Sequence, residues 1–303
     1  MESFNSQFLY SILIIALGYV LKRSNLIQER DGEGLSRIVF NITLPSLLII
    51  TFHDITIDTS LILLIIIAIV YGVAQAVLGL IVFRDKSQRT KGMLSMMVPG
   101  FNIGLFAFPL VEAIWGQEGL KYFGMFDFGN ALIVFGVVYV LGSYFADENE
   151  RKDLRDVMKK VSKSVPLLTY IIVCTMNFTN IPVPGAILEV AGTISVANMP
   201  LSLLLLGIYL NFSFAKGSFA TIAKLLSLRY IVGLAVGVAL FFLLPFEDMF
   251  KYTLLMALVL PISMSVLPYS VEFNYDQRFV GTVSNMTIVI SFFLLWGLGY
   301  MII

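Results

Sequence analysis

Long apolar runs follow one another along the whole chain, and they constrain the fold more than any other feature. They lie near residues 8–21, 35–52, 61–83, 93–115, 120–144, 166–178, 184–214, 219–244, 249–271 and 279–303, with short polar segments between them. The runs are continuously apolar rather than alternating. That pattern predicts membrane-spanning helices and not barrel strands, because a spanning segment must satisfy its backbone polar groups internally. Charged residues make up 13% of the chain, about half the roughly 25% of soluble domains. The class that remains is an all-α polytopic membrane protein with ten spans.

Composition removes several other functions. Twenty Lys and Arg balance twenty Asp and Glu, so the basic excess that nucleic-acid binding needs is missing. One cysteine, Cys174, excludes an internal disulfide, and one histidine, His53, excludes a histidine-based metal cluster. No HExxH motif or paired intramembrane Asp motif is present, so no nucleophile–base set for an enzyme is evident, and no cofactor or metal is expected. The opening Met1-Glu2-Ser3-Phe4-Asn5 has no positive region and no small-residue cleavage site, so a cleaved signal peptide is not expected.

Sorting the charges by span gives an orientation. Eighteen of the twenty basic residues fall in or beside the loops after spans 1, 3, 5, 7 and 9; only Lys121 and Lys251 fall on the other side. The positive-inside rule makes the first side cytoplasmic. Both termini are then extracytoplasmic, in a multi-pass protein of the plasma or inner membrane. The longest loop, residues 146–165, is an amphipathic cytoplasmic connector of mixed charge. It separates a first five-span repeat, residues 1–145, from a second, residues 166–303.

An odd number of spans in each half inverts the halves relative to one another. The punctuation repeats too. Each half opens with a short span. Each second span carries an Asn and a Pro, Asn41 and Pro45 in one half and Asn198 and Pro200 in the other. Each fourth span carries two prolines, Pro99 and Pro109, then Pro261 and Pro268. Proline removes a backbone donor and clashes with the preceding turn, and the orphaned groups survive in hydrocarbon only against protein or a wet cavity. Paired, proline-interrupted spans therefore point to a carrier's binding site, with half-helix N-termini suited to an anion.

The polar residues within spans are the candidates for chemistry. Asn102, beside Gly100 and Gly104, offers donors and an acceptor to a carboxylate or to freed backbone. Ser263 and Ser265 in the second interruption offer hydroxyls, with bonding to the preceding turn as their alternative role. Asp127, with Asn130 three residues on along the same helix face, is a candidate coupling or gating group, linked to a proton if it is buried; the alternative is an interfacial, solvated position. Glu112 and Glu189 are expected near the outer water, and Glu272 and Asp276 in water at the cytoplasmic end of span 9. Arg229 is expected to snorkel to the inner interface, reaching towards an anion being its alternative. Ser284, Asn285 and Thr287 are expected to make interhelical hydrogen bonds, and His53 to be an exposed cap residue.

Three segments carry a resemblance to a known family. They are Leu17-Gly18-Tyr19 with Leu35-Ser36-Arg37-Ile38-Val39 and Leu44-Pro45, then Asn102-Ile103-Gly104 with Pro109, then Asn198-Met199-Pro200 through Gly207. Together they resemble the auxin efflux carrier family, and the likeness runs over essentially the whole chain. Two departures stand out: Ala107 occupies a position usually glycine, and span 10 lacks a proline after its Ser/Thr-rich segment. The resemblance implies two inverted five-helix repeats with broken, crossing helices 4 and 9, a fold like that of the bile acid/sodium symporters. It also implies a scaffold of spans 1, 2, 6 and 7, a homodimer, and elevator-type transport of organic anions, auxin in plants and malate or malonate in prokaryotes. Carried over by position, Asn102, Pro109, Pro261 and Pro268 mark the crossover. A secondary carrier of small organic anions is thus the expected function, with an anion channel or ligand-binding sensor on the same scaffold as the alternative.

Overall fold

A computed structural model describes residues 2–146, 154–211 and 219–302. The described residues are helical apart from turns, short connections and one isolated bridge. In chain order the helices are α1 (Glu2–Arg23), α2 (Glu29–Ile38), α3 (Leu44–Phe52), α4 (Thr59–Val82), α5 (Gln88–Met97), α6 (Phe108–Leu132), α7 (Tyr139–Tyr144), α8 (Leu154–Val161), α9 (Val165–Phe178), α10 (Gly185–Ser195), α11 (Asn198–Tyr209), α12 (Phe219–Leu243), α13 (Asp248–Ala257), α14 (Val266–Glu272) and α15 (Gln277–Ile302). Single π-helical turns at Val39–Thr43, Ile103–Ala107 and Ile133–Val138 lead into α3, α6 and α7.

Seven helical stretches among these residues are long and apolar enough to cross a membrane: Asn5–Arg23, Glu29–Phe52, Thr59–Val82, Ile103–Tyr144, Gly185–Tyr209, Phe219–Leu243 and Gln277–Ile302. The pair Arg155–Val161 and Val165–Phe178, bent by 68°, would make an eighth. The count differs from the expected ten for physical reasons. The fourth and ninth apolar runs are broken into α5 and α6 and into α13 and α14, so neither presents one unbroken helix. The stretch Ile103–Tyr144 has 42 residues. At 1.5 Å per residue it would reach roughly 60 Å, about twice a hydrocarbon core, and Gly116 breaks it with φ 58° and ψ −142°. A short opening span is seen only in α9, of 14 residues; α1 has 22.

Residues 147–153 of the expected connector, with Arg151 and Lys152, lie outside the described residues, as do Lys216 and the end of the expected span 184–214. The outward faces of the helices are apolar. On α4, Ile62, Ile66, Val70, Val73, Val77 and Ile81 are exposed along one stripe, while Leu61, Leu64, Ala68 and Gln75 are buried behind it. A helix with apolar residues on its exposed face fits lipid rather than water.

Prolines fall where the backbone can accept them. Pro99 and Pro261 lie in the two interruptions, Pro268 lies in the first turn of α14, where the amide needs no intrahelical acceptor, and Pro109 follows the π-helical turn into α6. Pro45 follows the π-helical turn into α3, and Pro200 stands in the first turn of α11, just after α10 ends. Each second span thus has an irregular turn beside its Asn/Pro pair, while remaining one helical stretch.

Candidate functional site at a crossing of two helix breaks

The interruptions at residues 98–102 and 258–265 meet. Phe101 and Ile262 form an isolated antiparallel bridge, and the Asn102 amide donates to the Pro261 carbonyl at 3.0 Å. Gly100 permits the first turn through φ 81°; a Cβ there would come within 2.8 Å of Val134 Cγ2. Two broken helices thus meet inside the protein with buried backbone polar groups freed on each, and every such group needs a partner.

Side chains from three helices, α6, α12 and α15, supply those partners. Asn130 of α6 reads the Phe101 peptide on both sides: its Oδ1 accepts from the Phe101 amide at 2.8 Å, and its Nδ2 donates to the Phe101 carbonyl at 3.0 Å. Nδ2 also donates to Asp127 Oδ1 at 3.0 Å, which fixes which way the amide faces. The Tyr170 hydroxyl of α9 donates to Asp127 Oδ2 at 3.1 Å. On the other break, Thr287 Oγ1 of α15 accepts from the Ile262 amide at 3.1 Å, and the Ser291 hydroxyl donates to the Val259 carbonyl at 2.7 Å. Tyr230 of α12 donates to the Thr287 carbonyl at 2.9 Å and pairs with Ser291 Oγ at the same distance.

Arg229 is the residue that sequence reasoning misplaced. It does not snorkel to an interface but is 3% exposed, with its guanidinium between the breaks. It donates to the carbonyls of Met97, Val98, Gly100 and Leu260, and lies 5.0 Å over the Phe101 ring. A signal was available: two expected helix breaks leave orphaned carbonyls, and arginine carries five donors in one planar group.

The expected site residues divide into those at the crossing and those away from it. Asn102 is 4% exposed, and its Nδ2 has no hydrogen-bond partner. Ser263 is buried and accepts the Ser265 amide at 3.3 Å, so it braces the segment after it rather than the turn before. Pro109 is buried, Gly104 and Ser265 are partly exposed, and Pro268 is exposed. Gly104 packs on span 2, where a Cβ would meet Leu44 Cδ2 at 3.0 Å. Asp127 is buried at 9% exposure rather than solvated, and it reaches the crossing through Asn130.

The two Asn/Pro pairs behave differently from one another. Asn198 is fully buried and accepts from Thr43 Oγ1 at 3.1 Å, tying α11 to the turn before α3. Asn41 is exposed and bonds only its own helix, donating to the Arg37 carbonyl at 2.8 Å. Pro45 is buried and Pro200 exposed.

Glu272 departs from its expected solvated position. It accepts from the Tyr139 hydroxyl at 2.5 Å and from Lys160 Nζ at 2.9 Å, which docks α8 against α14. Lys160 also stands 5.1 Å from the ring centroids of both Tyr139 and Tyr269. Asp276 caps α15 through the Phe279 amide at 2.9 Å, and Glu189 is exposed. Asn285 bonds not another helix but the segment after α11, donating to the Asn211 carbonyl at 3.2 Å, and the buried Ser284 hydroxyl has no hydrogen-bond partner.

Comparison with known proteins adds to this geometry. A family model described as a membrane transport protein matches residues 6–165. The chain is 26% identical over 288 residues to an uncharacterized transporter of Methanothermobacter thermautotrophicus, covering 92% of each protein. It is 24% identical over 304 residues to an uncharacterized transporter of Methanocaldococcus jannaschii, covering 94% of this chain and 95% of that protein.

Proposed function

The chain belongs to the auxin efflux carrier family of membrane transport proteins, and from that premise we propose that it is a secondary carrier of small organic anions. The substrate class is auxin-like acids or dicarboxylates such as malate and malonate, bound where the two breaks cross. In this reading ten spans form two inverted repeats, residues 1–145 and 166–303, joined by the connector 146–165. Both termini are extracytoplasmic in the cell membrane. Two copies associate through a scaffold of spans 1, 2, 6 and 7, and the remaining spans carry the crossing from one side to the other as an elevator. Asp127 and Asn130 act as the gating pair, with Asp127 as the group that links transport to a proton.

One observation carries the reading: two interrupted helices meet at a buried point where the side-chain Nδ2 of Asn102 is an unpartnered donor. A buried donor without an acceptor costs about 1–3 kcal/mol, and a site retains such a group when a ligand oxygen meets it. Ser263 lies in the same buried segment and is the second polar group proposed to line the site. Gly104, Pro109, Ser265 and Pro268 complete the proposed binding segments.

The test is uptake of labelled malonate, malate and indole acetate into liposomes holding the purified protein. Saturable uptake of at least one is expected, and flux that never saturates would favour a channel. Asn102→Ala removes the donor without touching the backbone bond to Pro261. It is expected to raise KM about tenfold, the effect of roughly 1.4 kcal/mol, while leaving the melting temperature close to that of the parent. Unchanged transport by Asn102→Ala would remove the site assignment.

A further inference from the structure

We propose that Arg229 is a built-in counter-cation: its guanidinium occupies the carbonyl cluster left by the two helix breaks, so the crossing takes an anion without a bound metal cation. The inference rests on the anion-carrier reading above and deepens it.

Interrupted membrane helices expose carbonyl oxygens at the ends of their first halves, and in carriers built on broken helices such oxygens coordinate Na⁺. In this protein those halves are α5, ending at Met97, and α13, ending at Ala257. Arg229 donates to Met97 and Val98 through one terminal nitrogen, and to Gly100 and Leu260 through the other, the last two both at 3.1 Å. Acceptors from both breaks are thereby held by one side chain. Its positive charge stands where helix C-terminal ends are negative.

A mobile cation would need the same oxygens and would meet a fixed like charge beside them. The guanidinium is also anchored from its own helix. The next residue, Tyr230, bonds α15 twice, and Gly233 brings α12 against the Leu258 carbonyl so closely that a Cβ there would strike it.

Among the described residues no carboxylate forms an ion pair with Arg229. Its Nε is buried without a partner, as is Nδ2 of Asn102. Both are donors, and a carboxylate is acceptor-only. A neutral substrate would leave the buried charge facing carbonyl dipoles alone. An anion supplies the missing opposite charge.

The experiment measures labelled malonate uptake by the full-length protein in liposomes, with Na⁺ replaced on both sides by K⁺ or by choline. Wild-type uptake is expected to be the same in all three; a fall of about tenfold or more without Na⁺ overturns the proposal. Arg229→Lys, which keeps the charge, is expected to retain about tenfold more uptake than Arg229→Gln, which keeps hydrogen bonding without charge. Equal uptake by these two variants overturns the role of the charge. Arg229→Ala is expected to recover uptake in low-millimolar guanidinium chloride but not in choline chloride. Should the variants fail to fold, cation replacement in the wild type decides alone. Absence of malonate, malate and indole acetate uptake in every cation overturns the anion-carrier reading and this proposal with it; uptake that demands Na⁺ overturns this proposal only.

Discussion

Asn130→Asp is expected to lower malonate uptake by about a hundredfold, although the two side chains have nearly the same shape. The Phe101 amide keeps its acceptor. The nitrogen that donated to the Phe101 carbonyl and to Asp127 becomes an oxygen facing two other oxygens. Two buried bonds are lost and a carboxylate pair is set in contact. At about 1–3 kcal/mol for each unsatisfied buried group, a total near 3 kcal/mol is expected, which corresponds to about a hundredfold. Initial uptake per folded protein measures it. Adding Asp127→Asn to the same chain restores a donor between positions 127 and 130 but none for the Phe101 carbonyl. The double variant should regain about tenfold, a coupling that a double-mutant cycle isolates. Uptake by Asn130→Asp within about threefold of the parent would show that the Phe101 peptide does not depend on this side chain.

Gly207→Val is expected to separate α1 from α11 and to lower stability by about 3 kcal/mol, the upper end of ordinary overpacking. Ile15 and Gly207 approach so closely that a Cβ at Gly207 would strike the Ile15 carbonyl, and a Cβ at Gly18 would strike the Leu204 carbonyl. Both obstacles are backbone, which cannot rotate aside. Lipid offers no hydrophobic drive between helices, so close backbone packing at small residues carries much of their association. Lys22 adds a bond from its Nζ to the Leu210 carbonyl at one end of the same pair. Thermal unfolding in detergent should show a drop on the order of 10 °C, and a smaller one for Gly207→Ala. An unchanged melting temperature for the valine variant would mean that the two helices have another way to pack.

Much of the helix placement was legible in the sequence. The runs expected at 61–83, 219–244 and 279–303 correspond to α4, α12 and α15, within a few residues at each end. Apolar residues declare a spanning helix by length alone, without reference to any neighbour. The breaks were legible for a related reason: proline acts on its own backbone, so Pro99 and Pro261 mark interruptions wherever the segments sit. The partners of those breaks were not legible. A hydropathy reading treats Arg229 as a cost and assigns it to an interface, because its acceptors lie as far as 132 residues away in the chain. Lys160 and Glu272 were hidden likewise; each looked like a loop charge until α8 docked on α14. Gly18 and Gly207 stood in recognisable segments, but only the contact between their helices shows why a side chain is not tolerated there.

By itself, then, the sequence determined a helical membrane protein with two proline-broken segments and a family. Those properties follow from local backbone chemistry and from apolar length. The tertiary structure decided which side chains serve the breaks: Asn130 on Phe101, Thr287 and Ser291 on the second break, and Arg229 across both. A buried carbonyl does not specify the distant donor that will satisfy it, and that choice is made only when the helices pack.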